Sequence, residues 1–341
     1  MGTSARVAIL GAGVVGGRMA REILSPDPAM SVELHSNDPD RRKELRKVFG
    51  DQVTVGESAG DVGPAVEVVV LAGHQEGQPA AARRHVEAGR HVIAVADRPD
   101  TVEALLGLDE VARDRARSLV VGAAFSPGLS CLLARFAAAG LDTVDEVHFA
   151  RHGAAGPLCA ADRLAALRRP VREWRDGTWT VHRAGSGREL CWFPDPVGGA
   201  DAYRAATAEP LLAVESFVDI NRSSARVVLS RWDRMTQYLP VLLPAPPEGG
   251  MGAIRVEVRG SEGGSRASRV LGVLDRPGVA AAALGAEVVK DLLAGLAPVG
   301  AHGLSSWPDV AGMLARLRVR GVRVAVLQGS EGGSWVGTAG S

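Results

Sequence analysis

The chain has 341 residues, 46% hydrophobic and 23% charged, the composition of a globular protein long enough for about two domains. Its 39 basic and 39 acidic side chains cancel, so no basic stripe is available to neutralise nucleic-acid phosphates. No apolar run approaches the ~20 residues of a spanning helix and no apolar leader follows Met1, so no membrane partner and a cytoplasmic location are expected.

Apolar runs alternate with helical patterns over the first 135 residues, as in βαβ units on a parallel sheet. Val7–Leu10 reads as the first strand. Val15, Met19 and Ile23 recur four apart and give a helix stopped at Ser25-Pro26. Strands follow at 31–35 and 52–55, with a charged helix over 41–48 between them. The run 66–72 is apolar enough for a central strand covered on both faces. A helix over 79–88 ends at Gly89, and 91–96 is the next strand. Asp100 with Glu103 predicts a capping box for a helix running through Arg117. The sixth strand is 119–125.

The pattern changes after Ser126-Pro127-Gly128. A helix spans 129–139, and 144–150 alternates, with Val147 and Phe149 on one face and His148 on the other. The stretch 151–268 carries Trp174, Trp179, Trp192, Trp232 and both tyrosines, and its clearest strand is 254–259. A helix from Pro277 presents Leu284, Val288 and Leu292 as one stripe, expected to pack back onto the first domain. The Gly/Ser-rich tail is expected to be flexible. The predicted fold class is α/β, a Rossmann-type doubly wound parallel sheet followed by an α+β domain with an open sheet. The predicted domains are 1–135 for the dinucleotide, 136–270 for substrate and dimerisation, 271–328 as a return segment on the nucleotide domain, and 329–341 as tail.

Gly11-Ala12-Gly13-Val14-Val15-Gly16 lies between the first strand and the first helix, the setting a dinucleotide fingerprint needs. Gly11 permits the tight turn, Gly13 lets backbone approach a pyrophosphate, and Gly16 allows close helix–strand packing. NAD-binding versions carry an acid about 20 residues on for the ribose 2′-OH. Here Ser36 and Asn37 stand there with Arg41 and Arg42 nearby, which favours NADP over NAD, although Asp38 two residues later is the alternative ribose ligand.

Three further stretches join this loop: Ala72-Gly73-His74, Ala88-Gly89-Arg90-His91-Val92-Ile93, and Gly122-Ala123-Ala124-Phe125-Ser126-Pro127-Gly128-Leu129. Together they resemble the saccharopine dehydrogenase and saccharopine reductase family, with its carboxynorspermidine dehydrogenase-like members, chiefly over residues 5–135. The resemblance implies hydride transfer from NAD(P)H to an imine of an amino-acid-derived substrate, and a homodimer. It also implies cofactor contacts at Gly11, Gly13, Val14, Val15, Gly16, Ser36, Asn37 and Arg41, and at Ala72, Gly73, His74, Phe125 and Pro127. Two positions depart from the family pattern. Ser126 replaces an aspartate, and Asp97 replaces an aromatic or short polar run.

Asp97, at the carboxyl edge of the sheet, and His74, after the fourth strand, are the candidate acid/base groups. A substrate carboxylate calls for arginines, and Arg151, Arg222 and Arg231 are nominated with His152. Cys131, Cys159 and Cys191 have no metal-ligand or disulfide spacing and read as small apolar fillers, so no metal is expected. Neither tyrosine begins a Tyr-x-x-x-Lys motif, and no lysine lies between Lys47 and Lys290 to serve as a base. The competing readings are a C=O or C=C reductase on the same scaffold and a non-catalytic NAD(P) sensor.

Overall fold

The computed structural model describes residues 6–25, 30–57, 62–229, 249–327 and 334–335. The nucleotide half runs β1 (Val7–Leu10), α1 (Val14–Leu24), β2 (Val32–His35), α2 (Pro39–Phe49), β3 (Val53–Gly56) and β4 (Val68–Leu71). It continues with α3 (Gln78–Glu87), β5 (His91–Ala94), α4 (Pro99–Leu106), α5 (Asp109–Asp114) and β6 (Ser118–Val121). β1 and β4 are apolar and buried at every position because they lie in mid-sheet with helices on both faces. The expected single helix over 100–117 is instead two, broken at Gly107. Pro99 takes the first helical position and Arg98 the cap, so Asp100 falls inside the first turn and pairs with Arg98 at 2.7 Å.

The second half begins with α6 (Leu129–Ala138), β7 (Thr143–His152), α7 (Pro157–Ala166), β8 (Val171–Arg175), β9 (Thr178–His182), β10 (Glu189–Trp192) and β11 (Gly199–Arg204). α8 (Glu209–Ser216), β12 (Arg222–Val228), β13 (Gly252–Glu262) and β14 (Ser265–Asp275) complete its large sheet. The chain then returns through α9 (Pro277–Leu293), β15 (Gly300–His302), α10 (Val310–Val319), β16 (Val324–Val326) and β17 (Ser334–Trp335).

Two sheets result. The first is parallel throughout, in the order β15-β6-β5-β4-β1-β2-β3, with its topological switch between β1 and β4. The second is mixed, ordered β10-β11-β12-β7-β13-β14-β16-β17, with the β8–β9 hairpin added to β12. Phe149, Val256 and Leu271 form one buried row across its inner face.

The C-terminal third departs from expectation. α9 does present Leu284, Val288 and Leu292, but Ala280–Ala283, Ala286 and Val289 are buried as well, so this helix is covered nearly all round rather than amphipathic. The segment after it does more than pack on the nucleotide domain. It supplies β15 to the edge of the parallel sheet and β16 to the mixed one. Ser334–Trp335, within the expected flexible tail, pairs with β16.

Candidate active site

The glycine turn is built as its spacing requires. Gly11 has φ +111°, and a Cβ there would lie 2.4 Å from the Gly73 nitrogen, so the β1 and β4 turns touch through backbone. A Cβ on Gly16 would lie 2.1 Å from the Gly11 oxygen, which fixes how closely α1 approaches β1. Gly13 has no atom within 4 Å of such a Cβ and faces open space. It caps α1 without a side-chain hydrogen bond and no acid occupies the first turn, so free N–H groups and the positive helix end face that space. These features fit a dinucleotide pyrophosphate.

At the end of β2, Ser36 Oγ accepts from the Asp38 nitrogen. Asp38 caps α2, its Oδ1 accepting from Asp40 N at 2.9 Å and Arg41 N at 3.3 Å. Arg41 Nε donates to the Ala12 oxygen at 2.8 Å, laying its guanidinium beside the glycine turn. Arg42 donates to the Ser36 oxygen and to Glu57. Asn37 is exposed. Two guanidiniums, paired with Glu44 and Glu57, and a serine therefore lie together at the end of β2.

From this turn a cavity of about 340 Å³ runs between the two sheets. Gly13, Val14 and Val15 form one end, Ala72, Gly73 and Asp97 the strand-end wall, and Phe125 and Ser126 the floor. The mixed-sheet domain contributes Arg151 from β7, the 153–156 loop, and Pro157, Leu158, Cys159, Asp162 and Arg163 from the first turns of α7.

Its polar centre is a clamp made by Gln75. The Gln75 Nε2 donates to Asp97 Oδ1 at 2.7 Å and to Asp162 Oδ2 at 2.9 Å, while its Oε1 accepts from the Asp97 and Arg98 nitrogens, both at 3.0 Å. Arg151 Nη1 donates to Asp97 Oδ2 at 3.1 Å and to the Ser126 oxygen at 2.7 Å. Ser126 Oγ donates to buried Glu209 Oε1. Burial, then the nearby Asp97 charge, push the Asp162 carboxyl above its ordinary range. Burial pushes the Cys159 thiol up to about 11, so it is not a thiolate nucleophile near neutrality.

The other nominated groups lie elsewhere. His74 is exposed and outside the cavity wall, because the short turn after β4 brings Gln75 inward instead. His152 follows Arg151 on β7, so strand alternation points it to the opposite face. Arg222 lies on that outer face too, sharing it with Ser224 beside His148 and Glu146, and does not meet the cavity. Pro127, joined to Ser126 by a cis peptide, is buried against Gly122 behind the floor. Arg231 lies outside the described residues. Gln75, Asp162 and Glu209 are the groups the sequence did not single out. The Gly156-Pro157 start, followed by Cys159, Asp162 and Arg163 at helical spacing, was the available signal.

Residues 6–97 match the family described as NADP oxidoreductase, coenzyme F420-dependent. No curated protein matches the sequence. Among solved structures, apo saccharopine dehydrogenase (L-Glu forming) from Saccharomyces cerevisiae superposes with a TM-score of 0.71 over 95% of this chain and 100% of that one, at 11% identity. The fold is that of saccharopine dehydrogenase. GenD2 from gentamicin A biosynthesis, solved with NAD, gives a TM-score of 0.46 at 18% identity over 96% and 98% of the two chains. A putative myo-inositol dehydrogenase from Sinorhizobium meliloti gives 0.47 at 13% identity over 93% and 95%.

The likeness to saccharopine dehydrogenase thus extends at fold level through the mixed sheet and the return helix, well past the motifs of the first 135 residues. The nucleotide half is of the nicotinamide-dinucleotide oxidoreductase type. No described helix is long and apolar enough to cross a membrane.

Proposed function

We propose that the chain is an NAD(P)-dependent oxidoreductase that prefers NADP. It reduces an imine, or oxidises the matching secondary amine, of a small amino-acid-derived substrate. The observation that carries this reading is the Asp97–Arg151 pair, which joins the two domains inside a cavity that begins at the glycine turn. When bound, the dihydronicotinamide would supply the hydride. Gly13 and the α1 N-terminus would hold its pyrophosphate, and Ser36, Asn37 and Arg41 the ribose side. Asp97 would stabilise positive charge on the substrate nitrogen and carry its proton. The apolar walls of Val14, Val15 and Phe125 would exclude water. Arg151 Nη1 is held by Asp97 and the Ser126 oxygen, and the Asp97 and Asp162 carboxylates on the cavity wall suit a cationic nitrogen better than a developing oxyanion, which favours the C–N reaction over its C=O rival.

The test is fluorescence titration with NADPH and NADH, followed by turnover on imines formed from amines and 2-oxo acids. NADPH binds more tightly than NADH, and imine is reduced. Asp97→Asn lowers kcat by about 10²–10⁴-fold, the usual share of a proton-transfer group, with NADPH affinity unchanged. Absence of cofactor binding, or turnover confined to ketones or alkenes, overturns the reading.

A further inference from the structure

The charge balance of the cavity bears on what it can accept, on the footing that this is the substrate site of the proposed enzyme. Asp97 arrives from the nucleotide domain and Asp162 from α7 of the other, and the single Gln75 amide holds both carboxylates side by side. The second Asp162 oxygen, Oδ1, accepts no hydrogen bond from a described residue and stands on the cavity wall. Arg151 divides its Nη1 between Asp97 and the Ser126 oxygen, and Arg163 Nη1 donates to the Val228 oxygen at 3.2 Å. Glu209, bound to Ser126, lies just behind the floor. Asp97 and Asp162 therefore line the cavity with Arg151 and Arg163, the Arg98 and Arg169 charges act on Asp162 from outside it, and Glu209 adds a third carboxylate behind the floor. A polyanion entering this space would meet the Asp97 and Asp162 carboxylates beside Arg151, whose Nη1 already serves Asp97. A cationic nitrogen would meet acceptors whose mutual repulsion it relieves.

We propose that the Asp97–Gln75–Asp162 arrangement receives the substrate's nitrogen as an ammonium or iminium. The cavity then takes a small molecule of zero or positive net charge and rejects dicarboxylates, with Asp162 setting that preference. The nitrogen sits against Asp162 Oδ1 and the Asp97 carboxylate, and the rest of the molecule lies along Val14, Phe125 and Leu158.

The test is calorimetric binding to the full chain saturated with NADP⁺, using piperidine as a cation and glutarate as a dianion of similar size. Piperidine binds, and glutarate binds at least tenfold more weakly or not at all. Asp162→Asn weakens piperidine tenfold or more while NADP⁺ affinity stays within twofold. Glutarate binding as tightly as piperidine, no piperidine binding to wild type, or an Asp162→Asn chain that holds piperidine as before each overturns the proposal. The wild-type comparison stands even where that variant folds poorly. Failure of wild type to bind NADP⁺ overturns the cofactor reading, which is a separate result.

Discussion

Gly13 and Gly16 share one turn, yet a side chain at each would meet different surroundings. A Cβ on Gly13 meets nothing, whereas one on Gly16 lands 2.1 Å from backbone oxygen that cannot step aside. Gly13→Val should therefore keep the urea midpoint within about 1 kcal/mol of wild type, as open-site changes do, but abolish NADPH binding by filling the pyrophosphate space. Gly16→Val should cost about 3 kcal/mol or more through overpacking, whatever the cofactor does. Paired urea melts and NADPH titrations separate the two, and retained NADPH binding in Gly13→Val would place the nucleotide elsewhere. The glycines were legible in sequence because backbone approach leaves only one residue type. Asp97 was legible because strand ends at a topological switch collect ligand groups. Gln75 was not, since its inward turn next to exposed His74 depends on three residues of backbone conformation beyond β4. Asp162 was hidden by distance, for its partner Gln75 is 87 residues away and only the tertiary fold joins them.

At the level of elements, α9 shows how a correct periodic signal can understate burial. The stripe of Leu284, Val288 and Leu292 was readable, but the alanines around it carry no sign of which face they turn, and they pack too. α9 also buries Glu287, which accepts from Lys290 at 3.0 Å, Arg316 at 2.9 Å and Arg320 at 2.6 Å, tying α10 and its end to the core. Burial alone would raise this carboxyl, but the hydrogen bonds from Arg320 and Lys290 outweigh it and hold it below the ordinary carboxylate range. Glu287→Ala should cost about 1–3 kcal/mol, because it removes the acceptor shared by Lys290, Arg316 and Arg320 and leaves Arg320 held, among the described residues, by Glu22 alone. The sign of the pH effect follows from the lowered value. The contribution is whole above the ordinary glutamate pKa of about 4.3 and is lost as pH falls below it through the folded-state value. Glu287→Gln should therefore lag wild type in urea midpoint at pH 7 and approach it at pH 3.5. A gap that persists unchanged at pH 3.5 would assign the loss to packing rather than charge.

For the whole molecule, the path of the chain decides whether the two sheets are separable. After β14 the chain leaves the mixed sheet, packs α9 on α1, lays β15 beside β6, and returns as β16 to the mixed sheet. Gly285 fits against Met19, where a Cβ would meet the terminal methyl carbon at 2.1 Å, and Gly278 fits against Val14. The nucleotide sheet is therefore finished by residues far beyond 135, although the alternating pattern of the first 135 residues looks complete by itself. A chain cut after residue 135 would uncover the face of α1 that carries Val14 and Met19 and leave the edge of β6 unpaired. Exposing a buried side chain of this size costs roughly 1.5–3 kcal/mol. Two of them, with a lost strand pairing, rival the lower end of the ~5–15 kcal/mol that holds a whole domain together. The fragment 1–135 should accordingly show no cooperative thermal transition by circular dichroism and should bind a hydrophobic dye, while the full chain melts in one transition. NADPH at about 100 times its Kd should add roughly 2.7 kcal/mol to the full chain alone. A fragment that melts cooperatively within a few degrees of the full chain, and is stabilised by NADPH to the same extent, would show that α9 and β15 are accessories rather than parts of the nucleotide core.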